Sequence, residues 1–156
     1  MIANDVLRSL RYMLDLADQH VIALVRMVDA DFPIEQDDVR RMLLREDDPA
    51  YLACDDGVLA RVLDGLIVHR RGRDDRLPPR PFETRLGNNM ILKKLRVAFE
   101  LTEVDMLAVF AAAGFPISKP ELSALFRQPD HRNFRACGDQ VLRNFLKGLT
   151  LRVRGG

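Results

Sequence analysis

The chain has 156 residues, 47% hydrophobic and 30% charged, with two cysteines, no tryptophan and a net charge of +1. No apolar run reaches the roughly 18 residues of a membrane helix, and "MIANDVLRSLRYML" lacks the apolar core and cleavage site of a signal peptide. Two cysteines make no disulfide framework, so a membrane span and a secreted scaffold are excluded and a reducing cytoplasm is expected.

The elements are taken in chain order. Val6, Leu7, Leu10, Met13 and Leu14 recur at steps of three and four, the spacing of one helical face. A second helix is expected after Asp18, a competent N-cap. After "FPI" at Phe32 and a third short helix, Val58, Leu59, Val62, Leu63 and Leu66 mark a fourth. "RRGRDDRLPPRPFETRLG" then reads as a linker, since Pro78, Pro79 and Pro81 do not fit a helix interior.

The same order then begins again. Ile91, Leu92, Leu95, Ala98 and Phe99 form an apolar face, and Thr102 is an N-cap for a helix that stops at Gly114. In "ISKPEL", Ser118 and Glu121 have the spacing of a capping box, Ile117 and Leu122 that of a hydrophobic staple, and Pro120 is tolerated in the first turn. Val141, Leu142, Phe145, Leu146 and Leu149 give the last helix. No segment alternates β-branched and polar residues, so the fold is expected to be all-α.

The chain is therefore one unit written twice. "NDVLRSLR" at Asn4 answers "NMILKKLR" at Asn89, an offset of 85. "FPI" at Phe32 answers "FPI" at Phe115, and "YLACDDGVLARVLDGL" at Tyr51 answers "FRACGDQVLRNFLKGL" at Phe134, an offset of 83. Two extra residues therefore lie near Asp29 to Asp31. Two tandem pseudo-symmetric repeats of about four short helices are expected, at 1–72 and 86–156, joined by a Pro/Arg-rich linker at 73–85.

The blocks "NDVLRSLRYMLDL", "NNMILKKLR", "ISKPELSALFRQPDH" and "CGDQVLRNFLKGL" resemble the YehS-like family of small bacterial proteins, built from a tandem domain of unknown function. The resemblance spans nearly the whole chain apart from the linker. It implies a soluble, all-helical protein and supplies no catalytic residues.

One cluster invites a chemical reading: Asp130, His131, Cys137 and Asp139. Its first-copy counterparts are Asp47, Asp48, Cys54 and Asp56, so the histidine does not recur. A zinc site needs four ligands, and a catalytic thiol needs a base. Cys54 and Cys137 instead read as small buried hydrophobes before a helix, with Asp56 and Asp139 complementing that helix's N-terminus. Gly65 and Gly148 recur late in the fourth helix, where a close helix crossing offsets the roughly 1 kcal/mol glycine penalty. Neither has the spacing of a phosphate loop.

Charge separates the copies. Met1–Gly72 holds 9 Lys+Arg against 14 Asp+Glu, and Arg73–Gly156 holds 15 against 9. Arg143, Lys147 and Arg154 follow one face of the last helix where the first copy has Ala60, Asp64 and Arg71. Arg127, Arg132 and Arg135 stand opposite Leu44, Pro49 and Leu52. These six cations are the candidate surface for an anion or a partner, against the plainer reading of solvated surface. With no catalytic constellation, cofactor or metal motif, the expected function is a non-enzymatic interaction module. Its partner is a protein or a second copy. The alternative is a nucleic-acid binder using the basic second copy, since the connection through "GFPIS" has helix-turn-helix length but leads to few contacts beyond Lys119, Ser123 and Arg127.

Overall fold

The computed structural model describes residues 1–73 and 82–155, so Pro78, Pro79 and Pro81 lie outside the described residues. Among the described residues there are eight helices and no strand. They are α1 (Ala3–Leu14), α2 (Asp18–Val28), α3 (Gln36–Met42), α4 (Asp56–Arg71), α5 (Asn88–Ala98), α6 (Glu103–Ala112), α7 (Lys119–Leu125) and α8 (Asp139–Arg154). The all-α fold in two tandem repeats of four helices is thus realised. The chain divides into two units, Met1–Leu86 and Gly87–Gly156.

That division falls one residue beyond the sequence boundary. The Leu86 amide donates to the Asp56 carboxylate at 2.9 Å, which ties Leu86 to the first unit. Both described ends of the linker also pack there. Arg73 donates to the Met27 carbonyl, and the Phe82 ring lies 4.2 Å from the Arg61 guanidinium.

The helix boundaries follow from local capping. Asp18 is the first residue of α2 and not its N-cap, which is Ala17. Alanine has no side-chain acceptor, and His20 Nδ1 instead accepts the Ala17 amide at 3.0 Å. Thr102 does cap α6: its hydroxyl accepts from the Asp105 amide at 3.1 Å, and Asp105 accepts from the Thr102 amide at 2.9 Å. Ser118 and Glu121 exchange the same two bonds at 3.2 Å each. The first copy of that turn uses Asp38, which accepts the Glu35 amide at 2.9 Å. Gly114 follows α6 with φ of 74°, a left-handed stop that a glycine adopts without strain.

Each unit is held by one tight crossing. A Cβ on Gly65 would stand 1.9 Å from the Leu24 carbonyl oxygen, and one on Gly148 would stand 2.0 Å from the Val109 carbonyl oxygen. Bare backbone at these points lets α4 lie against α2 and α8 against α6. Around the second crossing, Phe110 and Phe145 are fully buried with ring centroids 5.6 Å apart at a 50° tilt. Burying a side chain of this size contributes about 1.5–3 kcal/mol. The first unit fills the same positions with Val25 and Val62, both fully buried.

Candidate interaction surface

The surface of the second unit is organised by a buried amide that both units share. Asn4, 1% exposed, donates through Nδ2 to the carbonyls of Met42 and Leu52, each at 2.9 Å, and accepts from the Cys54 amide at 2.9 Å. In the second unit Asn89 donates to Leu125 at 2.9 Å and Arg135 at 3.0 Å, and accepts from Cys137 at 2.8 Å. One side chain therefore closes the base of the loop between the third and fourth helices and anchors the segment leading into the fourth. Three otherwise stranded backbone groups are satisfied at once.

This clamp makes the two loops directly comparable. In the first, Asp48 Oδ1 accepts the Ala50 amide at 2.8 Å, and Asp48 and Tyr51 amides bond to Arg45 and Asp48 carbonyls. In the second, His131 Nδ1 accepts the Asn133 amide at 2.9 Å, and His131 and Phe134 amides bond to Gln128 and His131 carbonyls. The unmatched histidine thus does the turn-capping work of the first copy's aspartate. It stabilises the same turn while removing a negative charge.

The cysteines beside the loops are held as thiols. Burial, reinforced by the Asp55 and Asp56 carboxylates, pushes Cys54 up to about 12. Burial and the nearby Asp139 push Cys137 up to about 11, with Arg135 opposing weakly. Each Sγ contacts the next carbonyl, of Asp55 at 3.5 Å and of Gly138 at 3.6 Å, and the Leu59 amide opposes the rise at Cys54. A nucleophile or metal ligand needs the opposite shift, toward thiolate. Among the described residues no group of three or more His, Cys, Asp or Glu is placed to hold a metal ion.

The six candidate cations are all exposed and fall into two classes. Arg135 is engaged: its amide bonds to the Ala124 carbonyl at 3.0 Å and its guanidinium pairs with Glu121 at 3.3 Å. Arg154 lies in the last turn of α8 and is also engaged. Arg127, Arg132, Arg143 and Lys147 have no ion-pair partner within 4 Å among the described residues. Arg127 and Arg132 ride on the loop, while Arg143 and Lys147 stand one turn apart on the outer side of α8, whose inner side buries Leu142, Phe145, Leu146 and Leu149.

The first unit spends its charges differently. Asp29 pairs with Arg61 at 2.8 Å, and that guanidinium is sandwiched between the Phe32 and Phe82 rings at 4.3 and 4.2 Å. Asp5 pairs with Arg8 at 3.0 Å and Asp37 with Arg40 at 2.8 Å. Asp55 caps α4 by accepting from the Val58 amide at 2.8 Å, beside the Asp56 bond to Leu86. Much of its acidity is thus structural. A shallow groove in this unit, lined by Gln19, Ile22, Ala23, Arg26, Ile34, Glu35 and Gln36, includes one cation and one carboxylate, and Arg26 there donates to the Ile34 carbonyl at 3.1 Å.

With this geometry in view, the comparisons with known proteins can be placed. The family model described as "Protein of unknown function (DUF1456)" matches residues 3–72 and again 88–155. The chain belongs to this family. It is 43% identical over 152 residues to the "Uncharacterized protein YehS" of Escherichia coli (strain K12), covering 97% of this chain and 96% of that one. No solved structure matches it.

Each family segment lies within one unit, 3–72 inside Met1–Leu86 and 88–155 inside Gly87–Gly156. Among the described residues no helix is long and apolar enough to cross a membrane. One cation of this family member escaped the sequence reading. Lys93 on α5 is exposed and has no ion-pair partner among the described residues. Its counterpart Arg8 donates to Asp5 and, at 2.6 Å, to the Leu44 carbonyl. In the second copy those partner positions carry Met90 and Arg127.

Proposed function

We propose that this chain is a non-enzymatic interaction module whose working surface is the basic side of the second unit and whose partner is anionic. One observation carries the reading: Arg127, Arg132, Arg143 and Lys147 are exposed with no ion-pair partner within 4 Å among the described residues, while in the first unit Asp5, Asp29, Asp37, Asp38, Asp55 and Asp56 are committed to caps, pairs or backbone bonds. Exposed cations left unpaired contribute little to folding, and a positive field attracts anions and speeds their encounter. The buried, protonated thiols and the turn-capping histidine leave the one chemical-looking cluster with structural work.

The test is retention on immobilised heparin at neutral pH. Wild type is expected to bind and elute with salt, and Arg127→Gln with Arg132→Gln, or Arg143→Gln with Lys147→Gln, to elute earlier. Arg40→Gln with Arg45→Gln removes the same charge from the first unit and is expected to change elution little. Passage of the wild type unretained at low salt, or equal effects of all three variants, would remove the reading.

A further inference from the structure

We infer that the anion is the sugar-phosphate backbone of double-helical nucleic acid, gripped by Lys93, Arg127, Arg132, Arg143 and Lys147 without reading of base sequence. This rests on the proposed basic surface and names its partner. The first ground is placement. In the first unit the side chain at the α1 position of Lys93 reaches the backbone at the loop position of Arg127. The clamp recurs in both units, so the repeat is expected to bring Lys93 to the same loop position, that of Arg127, with Met90 at the position of Asp5. Cations on α5, on the loop and along α8 suit an extended polyanion more than a single small phosphate. Three of the five are arginines, whose planar forks match phosphate oxygens.

The second ground concerns what the unit lacks. The large exposed apolar residues are Ile2, Tyr12, Met90, Val104, Leu151 and Val153, so the one aromatic among them belongs to the first unit. Phe126 is taken up under the Arg96 guanidinium, 4.7 Å from it. Single strands are gripped by stacking bases on such rings, and among the described residues of the second unit no aromatic ring is exposed, Phe99, Phe115 and Phe134 being half-buried. A sequence reader needs a helix free to enter the major groove. The α7 helix has seven residues, and its start is occupied by the capping box, the Glu121–Arg135 pair and the Lys119–Glu103 pair at 3.9 Å. An acidic protein would seek an apolar centre within the basic rim, and the exposed apolar residues near these cations, Met90 three residues from Lys93 and Leu151 four residues from Lys147, are single side chains on two different helices.

The experiment is fluorescence anisotropy with two unrelated mixed-sequence DNA duplexes, each of their single strands, and poly-L-glutamate as competitor, across a salt series. Five phosphate contacts predict that log Kd rises with log salt at a slope of about 4.5, since each contributes about 0.9. The two duplexes are expected to agree within about threefold, because a missing base contact leaves no term of 1–3 kcal/mol to separate them. Lys93→Ala, Arg127→Ala and Arg132→Ala together are expected to weaken duplex binding at least about tenfold and lower the slope by 2 to 3, about 0.9 per contact. Arg143→Ala with Lys147→Ala serves as an independent second variant, and unchanged circular dichroism confirms that both fold. Strong preference for one sequence or for single strands, or indifference to both variants, overturns the inference. Capture by poly-L-glutamate with no duplex binding overturns it too but leaves the basic-surface reading standing, whereas binding to neither polyanion removes both.

Discussion

Asn4 and Asn89 each replace three backbone–water contacts with three hydrogen bonds from one side chain, so their removal strands groups that have no nearby substitute. An unsatisfied buried group costs about 1–3 kcal/mol. Asn4→Ala is therefore expected to lower stability by about 2–4 kcal/mol, and Asn89→Ala by somewhat less because Asn89 is half-buried. The urea midpoint of each variant checks this, and a change in Asn4→Ala under about 0.5 kcal/mol, the range of ordinary surface substitutions, would show that water replaces the clamp. Both asparagines were visible in the sequence as matched residues of the repeat. Their work was not, because every partner is a backbone atom at least 36 residues away, and a backbone acceptor leaves no mark on residue identity. His131 shows the converse. Its failure to recur counted against a chemical role, but what it does was not legible, because the bond it makes is the one Asp48 makes and only the acceptor atom reveals that.

The element scale is governed by the two glycine crossings. Alanine at Gly65 or Gly148 would gain about 1 kcal/mol of helix propensity but would place a methyl group within 2.0 Å of a carbonyl oxygen on the crossing helix. Overpacking against a backbone atom costs about 1–3 kcal/mol or more, and a contact this short forces the helices apart, so the steric cost exceeds the propensity gain. Gly65→Ala and Gly148→Ala are each expected to destabilise by about 2 kcal/mol, read from thermal melts. A stabilised Gly148→Ala protein would mean that α8 slides over α6 without loss. Helix number and order were legible from apolar spacing, since 3.6-residue periodicity is a local property. The start of α2 was misread by one residue because a favourable aspartate at Asp18 outweighed, on paper, an alanine whose cap is supplied by His20. The docking of Phe82 and Leu86 on α4 was not legible, as it depends on a cation–ring sandwich assembled from three separate segments.

For the whole molecule, the opposite charges of the halves conceal opposite uses of charge. The first unit's acids hold structure, as in the Asp29–Arg61 pair, whose side chains are only 29% and 17% exposed. In the second unit Arg127, Arg132, Arg143 and Lys147 have no ion-pair partner within 4 Å among the described residues, and like charges left on one surface repel. Stability and binding are then expected to respond in opposite directions. Replacing Arg127, Arg132, Arg143 and Lys147 together by glutamine should leave the melting temperature unchanged or raise it by no more than about 3 °C at low salt, because exposed charges contribute little. Added salt should erase that difference by screening the repulsion it relieves. Asp29→Ala should instead lower the melting temperature at every salt concentration, since it leaves Arg61 stacked between two rings without its counter-charge. Scanning fluorimetry of the two variants across a salt series separates these cases. A melting temperature that falls by many degrees in the fourfold variant would make the cations part of the scaffold. The anionic partner would then have to be sought on another surface.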